Sequence, residues 1–98
     1  MIVVIMILSF GDKDTEQIYS GIRVKKLPLV IQNVGRRKLR MLNNSQSLND
    51  LRIPPSNRLE KLSGKLNDYY SIRINSQWRI IFKWIEGQSE DVKIIDYH

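Results

Sequence analysis

Between Trp78 and Trp84 the chain reads Trp-Arg-Ile-Ile-Phe-Lys-Trp, and this segment constrains the fold more than any other. Successive side chains of a strand point to opposite faces. Trp78, Ile80, Phe82 and Trp84 therefore share one face, with Arg79, Ile81 and Lys83 on the other. Such a strand needs neighbours and a covering layer to bury its apolar side. Candidate neighbours are Arg58–Leu62, Tyr69–Ile74 and Val92–Asp96, with turns expected at Gly64–Asp68, Asn75–Gln77 and Glu86–Ser89. Ile72 and Ile74 alternate in the same way, with Arg73 opposite.

The covering layer is expected from the first half. Asp12 or Asp14 can cap a short helix that runs to about Tyr19 and ends at Gly21. Leu27-Pro28 opens the longest helix, which runs to about Leu42 and stops at Asn43-Asn44. Its apolar stripe is read as Leu27, Val30, Ile31, Val34, Met41 and Leu42. Lys38 falls inside that stripe, either as a snorkelling stem with its head at the core edge or as a group serving a site. Ser47–Leu51 is expected to form one helical turn, and Pro54-Pro55 breaks the chain. The apolar stretch Ile2–Ser9 reads as a buried strand; it is too short to cross a membrane and lacks the flanks of a signal peptide. Helices followed by strands predict an α+β fold, with the N-terminal helices on one face of a small, mainly antiparallel sheet. Arg73, Arg79 and Lys83 would then project from the other face.

Ninety-eight residues are expected to make a single domain, residues 1–98, with Met6 as an alternative start that would leave residues 1–5 as an extension. The absence of cysteine excludes disulfides, thiolate catalysis and cysteine-based zinc sites, and fits a cytoplasmic protein. One histidine among scattered carboxylates makes no metal site, and no cofactor is expected. A net charge of +6 fits either an anionic partner or an ordinary basic surface. The run Arg36-Arg37-Lys38-Arg40 divides the same way, between phosphate contacts and a solvated helix face.

Three segments carry more information. They are Arg58-Leu-Glu-Lys-Leu-Ser-Gly64, Ser71-Ile-Arg-Ile-Asn-Ser-Gln-Trp-Arg-Ile-Ile-Phe82 and Ile95-Asp-Tyr-His98. Together they resemble the plasmid-maintenance killer proteins, the HigB branch of the RelE/ParE toxin superfamily. Asn75-x-Gln77-Trp78-Arg79-Ile80 and the closing Asp96-Tyr97-His98 are the most specific features. The resemblance runs from Met6 onward. It implies a RelE-like fold and a toxin of a type II toxin–antitoxin system that cleaves messenger RNA on the ribosome without a metal. It further implies a HigA-type helix-turn-helix antitoxin, whose complex with the toxin binds operator DNA and represses the operon.

Metal-free RNA cleavage needs a base for the 2′-hydroxyl, an acid for the leaving 5′-oxygen and cations for the phosphorane charge. His98 can exchange protons near neutral pH, and Asp96 and Tyr97 can orient it, exchange protons or contact the nucleotide. Arg79 and Arg73 can hold the scissile phosphate. Many HigB proteins carry a histidine where this chain has Glu60 and a lysine where it has Ser63. Glu60 can serve as a carboxylate base, and Lys61 or Lys65 can supply the cation. Arg36, Arg37, Arg40, Lys61, Lys65 and Lys83 are the candidate RNA or ribosome contacts. Two other outcomes stay open: a gyrase-directed inhibitor like the ParE branch, or a weakly active toxin serving mainly as an antitoxin-bound co-repressor. Strand parity sets Tyr97 with Lys93, and Asp96 and His98 with Val92 and Ile94.

Overall fold

A computed structural model describes residues 7–97; Met1–Met6, and with them most of the expected first strand, lie outside the described residues, as does His98. The rest of that strand runs beside the sheet, with Ile7 and Phe10 bridging Ser89 and Val92 in parallel. Asp12 then caps helix α1 (Lys13–Tyr19) by accepting the Thr15 amide at 2.7 Å. Asp14 and Glu16 in the first turn favour the positive end of the helix dipole. Gly21 follows at φ +87°, a conformation that side chains rarely adopt.

Helix α2 spans Leu29–Asn43, entered through Pro28 and left through Asn44. Its buried side is Ile31, Gln32, Gly35, Lys38, Leu39 and Leu42. This corrects the expected stripe: Val30 is 65% exposed, and Leu39, absent from that stripe, is fully buried. The phase turns because two polar side chains find partners inside. The Gln32 amide accepts from Val24 N (2.9 Å) and donates to Val24 O (2.7 Å) and Leu27 O (2.6 Å), strapping the preceding loop to the helix. Lys38 does not snorkel to water; its ammonium donates to Asn57 Oδ1 at 2.8 Å. Gly35 lets α2 approach the sheet, since a Cβ there would stand 3.1 Å from Ile94 Cδ1.

The sheet has four antiparallel strands in sequential order: β1 (Glu60–Lys61), β2 (Tyr70–Arg73), β3 (Trp78–Ile85) and β4 (Gln88–Asp96). With the two helices this makes the α+β class expected. The first strand is shorter than the expected Arg58–Leu62. A 3₁₀ turn at Pro55–Asn57 ends with Arg58 in the left-handed region at φ 46°, so pairing starts only at Glu60. β4 begins at Gln88 rather than Val92. The β3–β4 connection is only Glu86-Gly87, both at positive φ, the geometry of a two-residue hairpin. Between Ile81 and Lys83 the β3–β4 register slips, so Asp91 and Val92 stand against Phe82. Asp91 takes the strain of this bulge at φ 54°. Ile18, Leu39, Leu42, Ile72, Ile80, Phe82, Val92 and Ile94 form one apolar cluster drawn from both helices and the sheet. Among the described residues no helix is long and apolar enough to cross a membrane.

Candidate functional site

The register sets Arg73 directly opposite Arg79 on the side of the sheet that Ile72 and Ile80 do not use. Like charges in that position repel, so neighbouring groups must compensate. Arg79 Nη1 donates to Ser71 Oγ at 2.9 Å and pairs with Glu60 Oε1 at 3.0 Å. Its guanidinium carbon lies 5.1 Å from the centre of the Tyr97 ring, within cation–π range. The Arg79 side chain is 15% exposed and Glu60 47%, so the ion pair sits at the rim of a half-buried patch. Ser71 and Ile81 are buried on this face, which is therefore a fitted surface rather than the loose row of projecting cations expected. Among the described residues no cluster of His, Cys, Asp or Glu could hold a metal ion.

Of the expected site residues, Arg73, Arg79, Glu60 and Tyr97 come together. Asp96 does not join them: it stands across from Trp78, and its carboxylate accepts from Gln77 Nε2 at 3.1 Å. This is the parity expected along β4, carried past the bulge. His98, the proton-exchange candidate, lies outside the described residues. The Tyr97 amide is fixed by Gln77 O at 2.7 Å, so the tripeptide Gln77-Trp78-Arg79 both supplies the arginine and holds the strand that carries the tyrosine. Ser71 is the member that sequence reading missed. Its place two residues before Arg73 gives it the right parity, but nothing in a serine signals a buried guanidinium partner.

The remaining cations disperse. Lys61 Nζ lies 4.7 Å over the Tyr70 ring, at the edge of the sheet. Lys83 Nζ lies 5.4 Å from the Tyr69 ring centre and Lys93 Nζ 5.6 Å. The Tyr69 hydroxyl is pushed up to about 12, first by its hydrogen bond to Asp91, then by burial and by the charges of Asp91 and Asp68. Lys65 is exposed in a 3₁₀ turn. Arg36 is committed elsewhere, its Nε donating to Ile18 O at the end of α1 at 2.9 Å. Arg37 and Arg40 are exposed on α2. Burial lowers the Lys38 ammonium from its ordinary value, and the positive charges of Arg37 and Arg73 add to the effect.

The chain matches a family of small toxins. Residues 8–98 match the family described as the RelE-like toxin of type II toxin–antitoxin system HigB. The chain belongs to that family, as the resemblance in its three segments indicated. It is 47% identical to Toxin HigB-1 of Vibrio cholerae serotype O1 over 83 residues, which cover 84% of this chain and 87% of that protein. It is also 49% identical over 59 residues to an uncharacterized protein of Haemophilus influenzae, covering 60% of this chain and 58% of that protein. A toxin of a type II system implies an antitoxin partner.

Proposed function

We propose that the protein is a cytoplasmic, ribosome-dependent, metal-free endoribonuclease of messenger RNA, neutralised by a HigA-type helix-turn-helix antitoxin. The observation that carries the reading is the Arg73–Arg79 pair, with the Tyr97 ring over Arg79. Two guanidinium groups opposite one another form a site where a phosphate relieves repulsion as it binds. Ser71 and Glu60 are both on Nη1, so a bidentate phosphate would meet the Nε/Nη2 edge of Arg79. The reading takes both helices to lie on the Ile80 side of the sheet, leaving the Arg79 side to RNA, and treats residues 1–98 as one toxin domain.

In this reading the 2′-oxygen attacks phosphorus and loses its proton to a base, for which Glu60 at the rim is the candidate. The bond to the 5′-oxygen breaks and that oxygen takes a proton from His98. The arginines stabilise the phosphorane charge. The products are a 2′,3′-cyclic phosphate and a 5′-hydroxyl. The test is a translation reaction with a defined message, analysed for cut sites and end chemistry. Cleavage with those ends, lost in Arg79→Ala and His98→Ala, supports the reading. Intact message at high toxin concentration sinks it.

A second reading rests on the Glu60–Arg79 ion pair, which already offsets the guanidinium charge beside the edge a phosphate would meet. The toxin would then be weakly active and serve mainly as an antitoxin-bound co-repressor on operator DNA. Glu60→Gln separates the two: it slows cleavage if Glu60 is the base and speeds it if Glu60 only competes with phosphate.

A further inference from the structure

The positive charge of this chain is segregated. Seven of the 16 basic residues, and none of the 10 acidic ones, fall in residues 17–49, leaving nine basic and ten acidic residues elsewhere. The whole excess therefore belongs to α2 and the loop that leads into it. Arg36 and Lys38 are taken up internally, by Ile18 O and Asn57. The others define a surface. Leu29, Val30, Asn33, Arg37 and Arg40 are all exposed, and their spacing puts them along one side of α2. Leu29 is 48% exposed and Val30 65% exposed. Exposed Lys25 and Lys26 immediately precede them. The side is thus apolar at the N-terminal end of the helix and cationic toward the C-terminal end. It points away from the sheet, because Gly35 presses the opposite side of α2 against Ile94 and Ile74.

From this pattern we infer that the exposed side of α2 is the docking surface for an acidic amphipathic segment of the antitoxin. Apolar side chains of that segment cover Leu29 and Val30, and its carboxylates pair with Arg37, Arg40, Lys25 and Lys26. Charge complementarity selects an acidic occupant. The exposed apolar pair selects protein over RNA, since a phosphate backbone gains nothing from leucine and valine whereas a protein interface centres on such groups. The first turn of α2 holds no acidic residue, so nothing on this helix competes with an incoming carboxylate there. The inference rests on the antitoxin partner that family membership implies, and it is independent of whether the toxin cleaves RNA.

The probe is the cognate antitoxin, titrated against the toxin. Arg37→Glu with Arg40→Glu, and separately Val30→Asp, change exposed side chains and leave the fold's thermal midpoint in place. Each is expected to weaken antitoxin binding by about tenfold or more, and the wild-type affinity to fall as salt is raised. Message cleavage by the free toxin stays within twofold of wild type in Val30→Asp. Antitoxin affinity within twofold of wild type in both variants overturns the inference. Loss of message cleavage with antitoxin binding intact overturns it as well, and assigns the surface to the ribosome. If the wild-type toxin cleaves nothing, the nuclease reading falls while the binding result still decides this one.

Discussion

Arg79 and Arg37 are the same residue type in opposite situations. Arg79 is 15% exposed and held by a serine hydroxyl, a carboxylate and an aromatic ring. Arg37 stands exposed on α2 beside Arg40. In the first case the protein has fixed the plane of a guanidinium; in the second it has displayed a charge. The difference shows that the net charge of a small basic protein says little about where its chemistry is. The charge excess sits on α2 and the loop that leads into it, whereas the sheet face that carries the candidate site sets two arginines against one carboxylate.

Lysine substitution is the sharpest way to break that contrast. Arg79→Lys keeps the charge and loses the planar fork. It is expected to lower message cleavage by about 100-fold, the cost of removing one positioned group from a developing anion. Arg37→Lys is expected to leave cleavage, and antitoxin affinity, within about twofold. Equal effects of the two substitutions in a cleavage assay would mean that Arg79 acts only as a charge.

A third cation extends the comparison inward. Lys38 is 5% exposed, and its ammonium donates to Asn57 Oδ1. Asn57 is fully buried and also donates to Leu51 O at 3.1 Å. Asn57→Leu strands the ammonium and should cost about 2–3 kcal/mol in urea denaturation. Lys38→Met removes the charge with the stem and should cost about 1 kcal/mol, through the single acceptor left unpaired. If Lys38→Met proves the worse of the two, the ammonium stabilises the fold beyond its bond to Asn57.

These three cations also mark what the sequence makes legible. Caps and breaks were readable because their chemistry is local: Asp12 before α1, Pro28 before α2, Asn44 after it, glycine at 21 and 87. Strand alternation likewise set Arg73 and Arg79 on the open face, and Tyr97 with Lys93. The phase of α2 was not readable, because hydropathy ranks Gln32 and Lys38 as surface residues. Their acceptors lie on other segments: Val24 and Leu27 in one case, Asn57 in the other. The Arg36 contact was unreadable for the same reason, its acceptor being a carbonyl at the end of α1. The short β1 follows from the left-handed Arg58, which no residue type at that position announces. Parity placed Asp96 on the side away from Arg79, while the role of the terminal tripeptide rested on resemblance alone.

The smallest expected effect separates a buried cation from one that only flanks a ring. Lys38 titrates below its ordinary value in the folded chain, so the unfolded chain binds the proton more tightly. Its penalty is full at low pH and is relieved as pH rises through the folded value toward 10.5. Tyr69 behaves in the opposite sense. Its hydroxyl is held up to about 12 by Asp91, against 10.0 in the unfolded chain. The stability it contributes is complete below 10 and is lost as pH rises toward 12. Stability followed by urea midpoint should therefore climb toward pH 10.5 and then fall. Lys38→Met should flatten the climb and leave the fall. Tyr69→Phe should flatten the fall and leave the climb, because Lys83 and Lys93 keep their places beside the ring. A fall that persists in Tyr69→Phe would show that the hydroxyl Asp91 holds is not its source.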